Sequence, residues 1–463
     1  MGVQRWAALT GAVALALPLT VAQHPGSSAG GLPRNKTLYT SGTATAPPTN
    51  FNPLDLAKDY TGTQGLLYEP LFLFDPVRDQ FIPWLATSGS WVGPTTYKLQ
   101  VRPGVRWTSS PSGSVTGTLT GADVAYSINL AVHDLADPYN ADVTTVKGAT
   151  ANGDTVTVTF LSAVDYAQWE DFLWHSPVLP EATWSHMPSG TWVTGANTSP
   201  IASGPMLLAA RSSTEACYRD NPNWWGRSQL GLSFKFEYLC DVVSRSSGAG
   251  LSDLLDNRTD WSNELLQGVP DLVGGKTAGY DIKTYYPGAP YMLPAGTAWL
   301  ELNTARAPMS NLNFRKAVAY AIDTSAVISK VYSGTVEAAN PTGLLPYLSD
   351  YINNVAVKSY GFYYSQSMAK GFLAKSGYQG QHLTLQVPLG WTDWMDAATQ
   401  LSQQLESVGI HISPKFVPAA ALNDDISSGS YDITIANNTG VCPTPWSYYD
   451  AVYHLPIISN QPL

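Results

Sequence analysis

The sequence predicts a mixed α/β protein built as two lobes. Strand-like and helix-like segments alternate from residue 36 onward, which is the signature of an α/β mixture. Two stretches far apart in the chain, 68–127 and 300–334, each carry their own strand-and-helix pattern. The chain has 463 residues and is 44% hydrophobic, enough to form cores for two or three domains.

In the first stretch, Tyr97-Lys98-Leu99-Gln100-Val101-Arg102 alternates apolar and polar side chains, Pro103-Gly104 supplies a turn, and Val105-Arg106-Trp107 resumes the alternation. That spacing predicts a hairpin. A helix follows at Thr120-Gly121-Ala122-Asp123. The Thr120 hydroxyl can accept from the Asp123 amide, and the Asp123 carboxylate sits near the positive end of the helix dipole. Tyr126, Ile128 and Leu130 carry the helix onward.

The second stretch predicts a strand over 298–303 and one helix over 311–326. Phe314, Ala317, Val318, Ala321 and Ile322 fall at helical spacing on that helix and read as a core stripe. Arg315 interrupts the stripe. An ion pair between lobes suits it better than a ligand contact. A further helix over 393–408, closed by Gly409 and followed by a strand over 410–416, completes a strand-helix-strand unit.

Composition narrows the function. The net charge of −10, without any cluster of Lys and Arg, sets nucleic acid aside as a partner. Charged residues make up 13% of the chain, against a usual globular fraction of about 25%. A protein with few paired carboxylates loses little stability when they protonate, so an acidic exterior and retained folding at about pH 3 are expected. Residues 1–22 join Arg5 to an apolar run and a small-residue site at Thr20-Val21-Ala22, the layout of a secretory signal. Residues 23–35 form a Gly/Ser/Pro linker, which would let the folded body stand off a membrane if the signal stayed attached. An exported protein at the cell surface or in a periplasm follows. No Cys lies near this region, so lipid attachment is not encoded.

The three cysteines are Cys217, Cys240 and Cys442. Cys217 and Cys240 lie on two strand-like runs flanking "YRDNPNWWG", where a cross-strand disulfide and two buried thiols both fit. Cys442 reads as a small apolar filler. The string Gly26-Ser27-Ser28-Ala29-Gly30 matches a nucleophile elbow in letters only, because it falls in the linker without strand or helix. The seven histidines show no close metal-ligand spacing, and no cofactor or metal is expected.

Several blocks together resemble the extracellular solute-binding proteins of family five, which serve ABC importers. They are "YEPLFLFDPVRDQFIPWLATSGSW", "TYKLQVRPGVRWTSS" with "LTGADVAYSINLA", "SGPMLLAA" with "YRDNPNWWG", "AWLELNTARAPMSNLNFRKAVAYAIDTSAVISKVYSG", and "AKGFLAKSGY". They stand in the family's order over roughly 36–453, with Gly121 departing from its commoner choice. The resemblance implies a periplasmic-binding-protein-like fold (type II, cluster C). Its first lobe takes 36–70 and 181–285, a subdomain of 71–180 is inserted into that lobe, and a second lobe takes 286–463. Relatives usually run on further, so the second lobe is expected to be incomplete, with either an exposed apolar face or a repacked interior. It also implies capture of a short oligopeptide or oligosaccharide between the lobes, delivery to permease subunits in the membrane, and no covalent chemistry. A secreted hydrolase of the same ligands is the rival reading, and it would need paired carboxylates or a Ser/His/Asp set.

Candidate ligand contacts gather in two places. Trp391 in "PLGWTDWMDAA" sits at a strand-to-helix junction, where α/β clefts hold ligands, and can stack on a sugar face or clamp a side chain, although plugging the lobe's core edge also explains it; Trp394 accompanies it. Asp393 can accept from hydroxyls or an amine, Asp396 less readily, although helix capping also explains both. The second place is "ANNTGVCPTPWSYYD". By resemblance, peptide-binding relatives carry there a carboxylate that holds the peptide's amino terminus, and here Thr444 takes that position. A hydroxyl cannot replace the counter-ion of a buried ammonium. "GWTDW" and "TPWSYY", the latter with Trp446, resemble segments of the family's oligosaccharide-binding branch, and the resemblance favours a neutral, hydroxyl-rich ligand; Asn437 and Asn438 fit either amide hydrogen bonds to it or a plain loop role. Trp224-Trp225 reads as packing.

Overall fold

The computed structural model describes residues 31–449, except 42–46, 57, 164–165, 189, 267, 274–281, 295, 438–441 and 447. The signal segment, most of the linker, the Gly26–Gly30 string and Asn438 therefore lie outside the described residues.

The first lobe is organised on a five-stranded mixed sheet in the order Met206–Arg211, Glu215–Asp220, Tyr238–Val242, Thr37–Ser41, Trp261–Ser262. Thr37–Ser41 runs parallel to both of its neighbours, so a strand from the start of the described chain is inserted between later ones. Cys217 and Cys240 face each other directly on adjacent antiparallel strands, with Cα atoms 4.0 Å apart, and are joined as a disulfide.

An antiparallel sheet of Ala86–Gly93, Thr96–Val101, Thr155–Phe160 and Val146–Asn152 forms the region between, with the helix Gly121–His133 packed across Val146–Asn152. That helix starts on the expected Thr120 cap, and Asp123 completes a capping box: its Oδ2 accepts from the Thr120 amide at 2.8 Å, and the Thr120 side chain caps the first turn. One hydrophobic core runs continuously from Phe51 through Trp107 and Trp169 to Trp225, so this region shares its interior with the first lobe.

At the joint, fully buried Glu69 accepts from the indoles of Trp84, Trp224 and Trp225 and from the Ser203 hydroxyl, at 2.7–3.1 Å. Burial pushes its carboxyl up to about 7, against the pull of the four donors. Trp224 and Trp225 are therefore packing residues with their polar edges spent on one acid.

The expected hairpin across Pro103-Gly104 does not form. Thr96–Val101 pairs with Ala86–Gly93 and Thr155–Phe160, while Arg106–Ser109 joins a separate sheet with Val115–Thr118 and Ile201–Ala202. The turn is present, with Gly104 at φ 77°, but it is a corner between sheets. Arg102 directs it: its amide donates to the Leu85 carbonyl, its guanidinium donates to the Trp84 carbonyl, and its guanidinium carbon lies 4.3 Å from the Trp225 ring centroid. Nearer partners took the hydrogen bonds that the alternation alone would have given to a hairpin.

The second lobe carries a four-stranded sheet in the order Ala298–Leu302, Ile433–Asn437, Leu383–Pro388, Ile412–Val417. Leu383–Pro388 and Ile412–Val417 are parallel and are linked by the helix Thr392–Ser407, which buries Trp394, Ala397, Ala398, Leu401 and Leu405 and ends before Gly409 at φ 98°. The helix expected over 311–326 is two. Leu312–Ala321 stops at Ile322, whose backbone is extended, and Asp323 caps a new helix, Thr324–Val331, by accepting from the Ala326 amide. Among the described residues Arg315 makes no ion pair between lobes: its guanidinium donates to the Met309 and Ser310 carbonyls at 2.8 and 3.0 Å, closing the loop before its own helix.

Candidate functional site

Among the described residues two seams join the lobes, and five of the expected ligand residues divide between them. At the first, the strand Leu383–Pro388 delivers the chain through Leu389 and Gly390 into the helix Thr392–Ser407. Gly390 has φ 95°, and a Cβ there would stand 2.8 Å from the Arg245 carbonyl oxygen of the first lobe. Glycine is therefore required twice, for the left-handed turn and for the close approach.

Trp391 takes the cap position of that helix with no side-chain cap bond, and the residue remains 37% exposed. Trp394 is buried in the second lobe's core and meets the Trp391 ring edge-on, centroids 4.8 Å apart. The placement makes Trp394 a support for Trp391, with its own faces occupied by packing.

Asp393 lies in the first turn, half-buried. Burial pushes its carboxyl up to about 6; the amides of the helix start pull against that, and Asp396 adds to it. Together with Leu265, Leu266 and Gly268 from beyond the first sheet's edge strand, and Val331, Tyr332, Ser333 and Thr335 after the Thr324–Val331 helix, Asp393 lines a gap of about 10 Å³. Such a gap holds about one water, so this seam is closed. Glu264 nearby has its carboxyl also raised, first by burial and then by the charges of Asp253 and Asp393, against a hydrogen bond from Ser244.

The second seam joins 442–449 to the inserted region. Thr444 is buried; its hydroxyl donates to Asp171 Oδ2 at 3.5 Å and accepts from the Trp446 amide at 3.3 Å. The Trp446 indole donates to Asp142 Oδ1 at 3.4 Å. Both acids are buried and come from the region of the antiparallel sheet, Asp142 from a short 3-10 turn and Asp171 from the helix Tyr166–His175.

His175 closes the group. Its Nδ1 is 2.6 Å from the Asp171 carbonyl oxygen, its Nε2 is 3.6 Å from Asp142 Oδ2, and burial depresses its pKa. Around these polar contacts Tyr347 donates to the Cys442 carbonyl and pairs with the Tyr448 hydroxyl, and Trp174 packs with Leu344, Leu345, Leu348 and buried Cys442.

Of the expected residues, Trp391, Asp393 and Trp394 thus share one seam, and Thr444 and Trp446 the other. Asn437 is exposed at the end of its strand, opposite Ala298, and Asn438 is not among the described residues. The residues not anticipated from sequence are Asp142, Asp171, His175, Tyr332 and the Leu265–Leu266 pair. A buried acid and a histidine on the aromatic helix "YAQWEDFLWH" were the one available signal.

Comparison with known proteins fits this architecture. The family model described as bacterial extracellular solute-binding proteins, family 5 middle, matches residues 80–460. A periplasmic oligopeptide-binding protein of an ABC transporter from Thermotoga maritima, solved with mannohexaose bound, is 34% identical; the match covers 91% of this chain and 80% of that one, with a TM-score of 0.85. The oligopeptide-binding protein AppA from Bacillus subtilis, solved with a nonapeptide, shares the fold at a TM-score of 0.74 and 19% identity over 88% of this chain and 80% of that one. Among curated proteins, the oligopeptide-binding protein OppA of Bacillus subtilis is 23% identical over 52% of this chain and 44% of its own length. Heme-binding protein A of Haemophilus influenzae is 30% identical over 39% and 30%. The chain thus spans less than half the length of these curated relatives. These relatives are binding proteins, and nothing among them supports the hydrolase reading. The chain belongs to the bacterial extracellular solute-binding proteins of family 5.

Proposed function

We propose that the chain captures a short oligosaccharide between its lobes, outside the cell, and presents it unaltered to the permease subunits of an ABC importer. The observation that carries this reading is Trp391, a residue 37% exposed at a strand-to-helix junction, its ring braced edge-on by a buried tryptophan. A flat, immobilised indole offers its face to the C–H side of a pyranose ring, and its orientation costs little entropy because Trp394 already fixes it. Asp393 beside it supplies an acceptor for hydroxyl groups.

Thr444 supports a neutral ligand. It brings a neutral hydroxyl, already donating to Asp171, to the position where a counter-ion for an ammonium would be needed. The mannohexaose in the Thermotoga protein supports the same class. Ligand contacts from both lobes favour the closed arrangement by the difference in affinity between closed and open states. No step of the capture breaks or forms a covalent bond.

Calorimetric titration with mannohexaose, cellobiose and tri- to pentapeptides tests the proposal. Saturable heat with a sugar, and the sugar recovered intact, is the expected result. Saturation by peptides alone would reassign the ligand, and shortened sugar would make the protein a hydrolase.

A further inference from the structure

We propose that the outer face of the second lobe formed by residues 351–375 docks on an anionic lipid bilayer. The helix Asn354–Tyr360 buries none of its residues, and beyond it Tyr360, Phe362, Tyr363 and Tyr364 are 82%, 49%, 64% and 45% exposed. These rings are not loose. Tyr320 holds Phe362 and Tyr363 at centroid distances of 5.2 and 5.5 Å and stacks on Phe372 at 5.5 Å, so the shelf is fixed from beneath while its upper side faces solvent.

The charge of this face opposes that of the molecule. The chain carries −10 overall, yet no Asp or Glu occurs between Asp350 and Asp393. Lys358, Lys370 and Lys375 are all exposed there, and the Lys375 and Lys316 ammonium groups lie 5.8 and 5.5 Å from the Phe372 ring centroid. Tyrosines on a basic face match the headgroup layer, where amphipathic rings settle and each nearby lysine is attracted by anionic lipid. Protein interfaces, by contrast, deplete lysine in their centres. The rest of an acidic surface would be repelled from the same bilayer, so this face also sets the orientation of the protein on it. Ile352 at its start packs against the apolar cluster of the second seam, while the tyrosines and lysines that would meet the bilayer lie beyond it, away from Trp391 and Thr444 in the chain.

Sedimentation of the full chain with vesicles of phosphatidylcholine, and of an equimolar mixture with phosphatidylglycerol, tests the inference. Salt-sensitive binding to the anionic vesicles is expected, with affinity lowered at least about tenfold in the double variant K358E/K370E and lowered also in Y360S/Y364S. The apolar N-terminal run is common to every variant, so differences between them report the face alone. Equal binding by all variants, or equal binding to neutral and anionic vesicles, would overturn it. So would absence of vesicle binding with capture only by vesicles bearing a permease, which would make the partner a protein. Sugar titration of the same variants keeps a failure here separate from a failure of the capture proposal.

Discussion

The two seams between the lobes are built on opposite principles. At the first, a carboxyl raised to about 6 borders a gap of about 10 Å³, and the exposed Trp391 stands two residues before it in the chain. At the second, a hydroxyl and an indole from the second lobe are anchored on two buried acids, and an apolar cluster closes around them. The first seam is suited to exchange solvent for a ligand. The second is fixed by buried hydrogen bonds and apolar packing. A capture protein needs both, because closure is useful only if one side of the joint yields while the other keeps the lobes in register.

Four substitutions or conditions would break or sharpen that contrast. Trp391→Ala should have the largest effect, lowering sugar affinity by roughly 2 kcal/mol or more, about thirtyfold, with little change in thermal midpoint. Calorimetry and a melting curve on the same sample decide it, and a large loss of stability with unchanged affinity would move Trp391 to the core. Trp446→Phe should do the reverse. It leaves Asp142 short of a donor, costing about 1–3 kcal/mol of stability by denaturant titration, while affinity changes little.

The third is pH. Burial raises the carboxyls of Asp59, Glu69 and Asp137 to about 7 and that of Asp393 to about 6. Each takes up a proton on folding, so its contribution is complete below the unfolded value near 4 and is lost as pH rises through 6 to 7. His175, depressed by burial, acts in the opposite sense, its contribution present above its unfolded value and lost as pH falls. Four groups outweigh one, so the thermal midpoint should be higher at about pH 5 than at about pH 7.5. Asp393→Asn should reduce the difference, and a midpoint that rises with pH would contradict it. The smallest effect is expected of Arg315→Ala, which frees two loop carbonyls and should cost about 1 kcal/mol of stability with sugar affinity unchanged.

Local features were legible where the chain's own neighbours decide them. The capping box at Thr120 and Asp123, the helix closed by Gly409, and the packing role of Trp224-Trp225 follow from nearby residues and composition. The split at Asp323 was missed because an apolar stripe at helical spacing runs through both halves, and the capping acid between them reads as one polar residue among several. The corner at Pro103-Gly104 was missed because turn chemistry does not say which strands flank it in a sheet. The second seam was beyond reach, since Trp446 meets Asp142 across 304 positions and Thr444 meets Asp171 across 273. The family resemblance pointed to Thr444, but only the fold shows that an acid from the other side of the joint already engages it.

Small-angle scattering with and without saturating mannohexaose tests the central claim of capture by closure most directly. The account predicts a smaller radius of gyration in the sugar-bound sample and full recovery of the hexasaccharide afterwards. A radius unchanged by a sugar that calorimetry shows to be bound would contradict it.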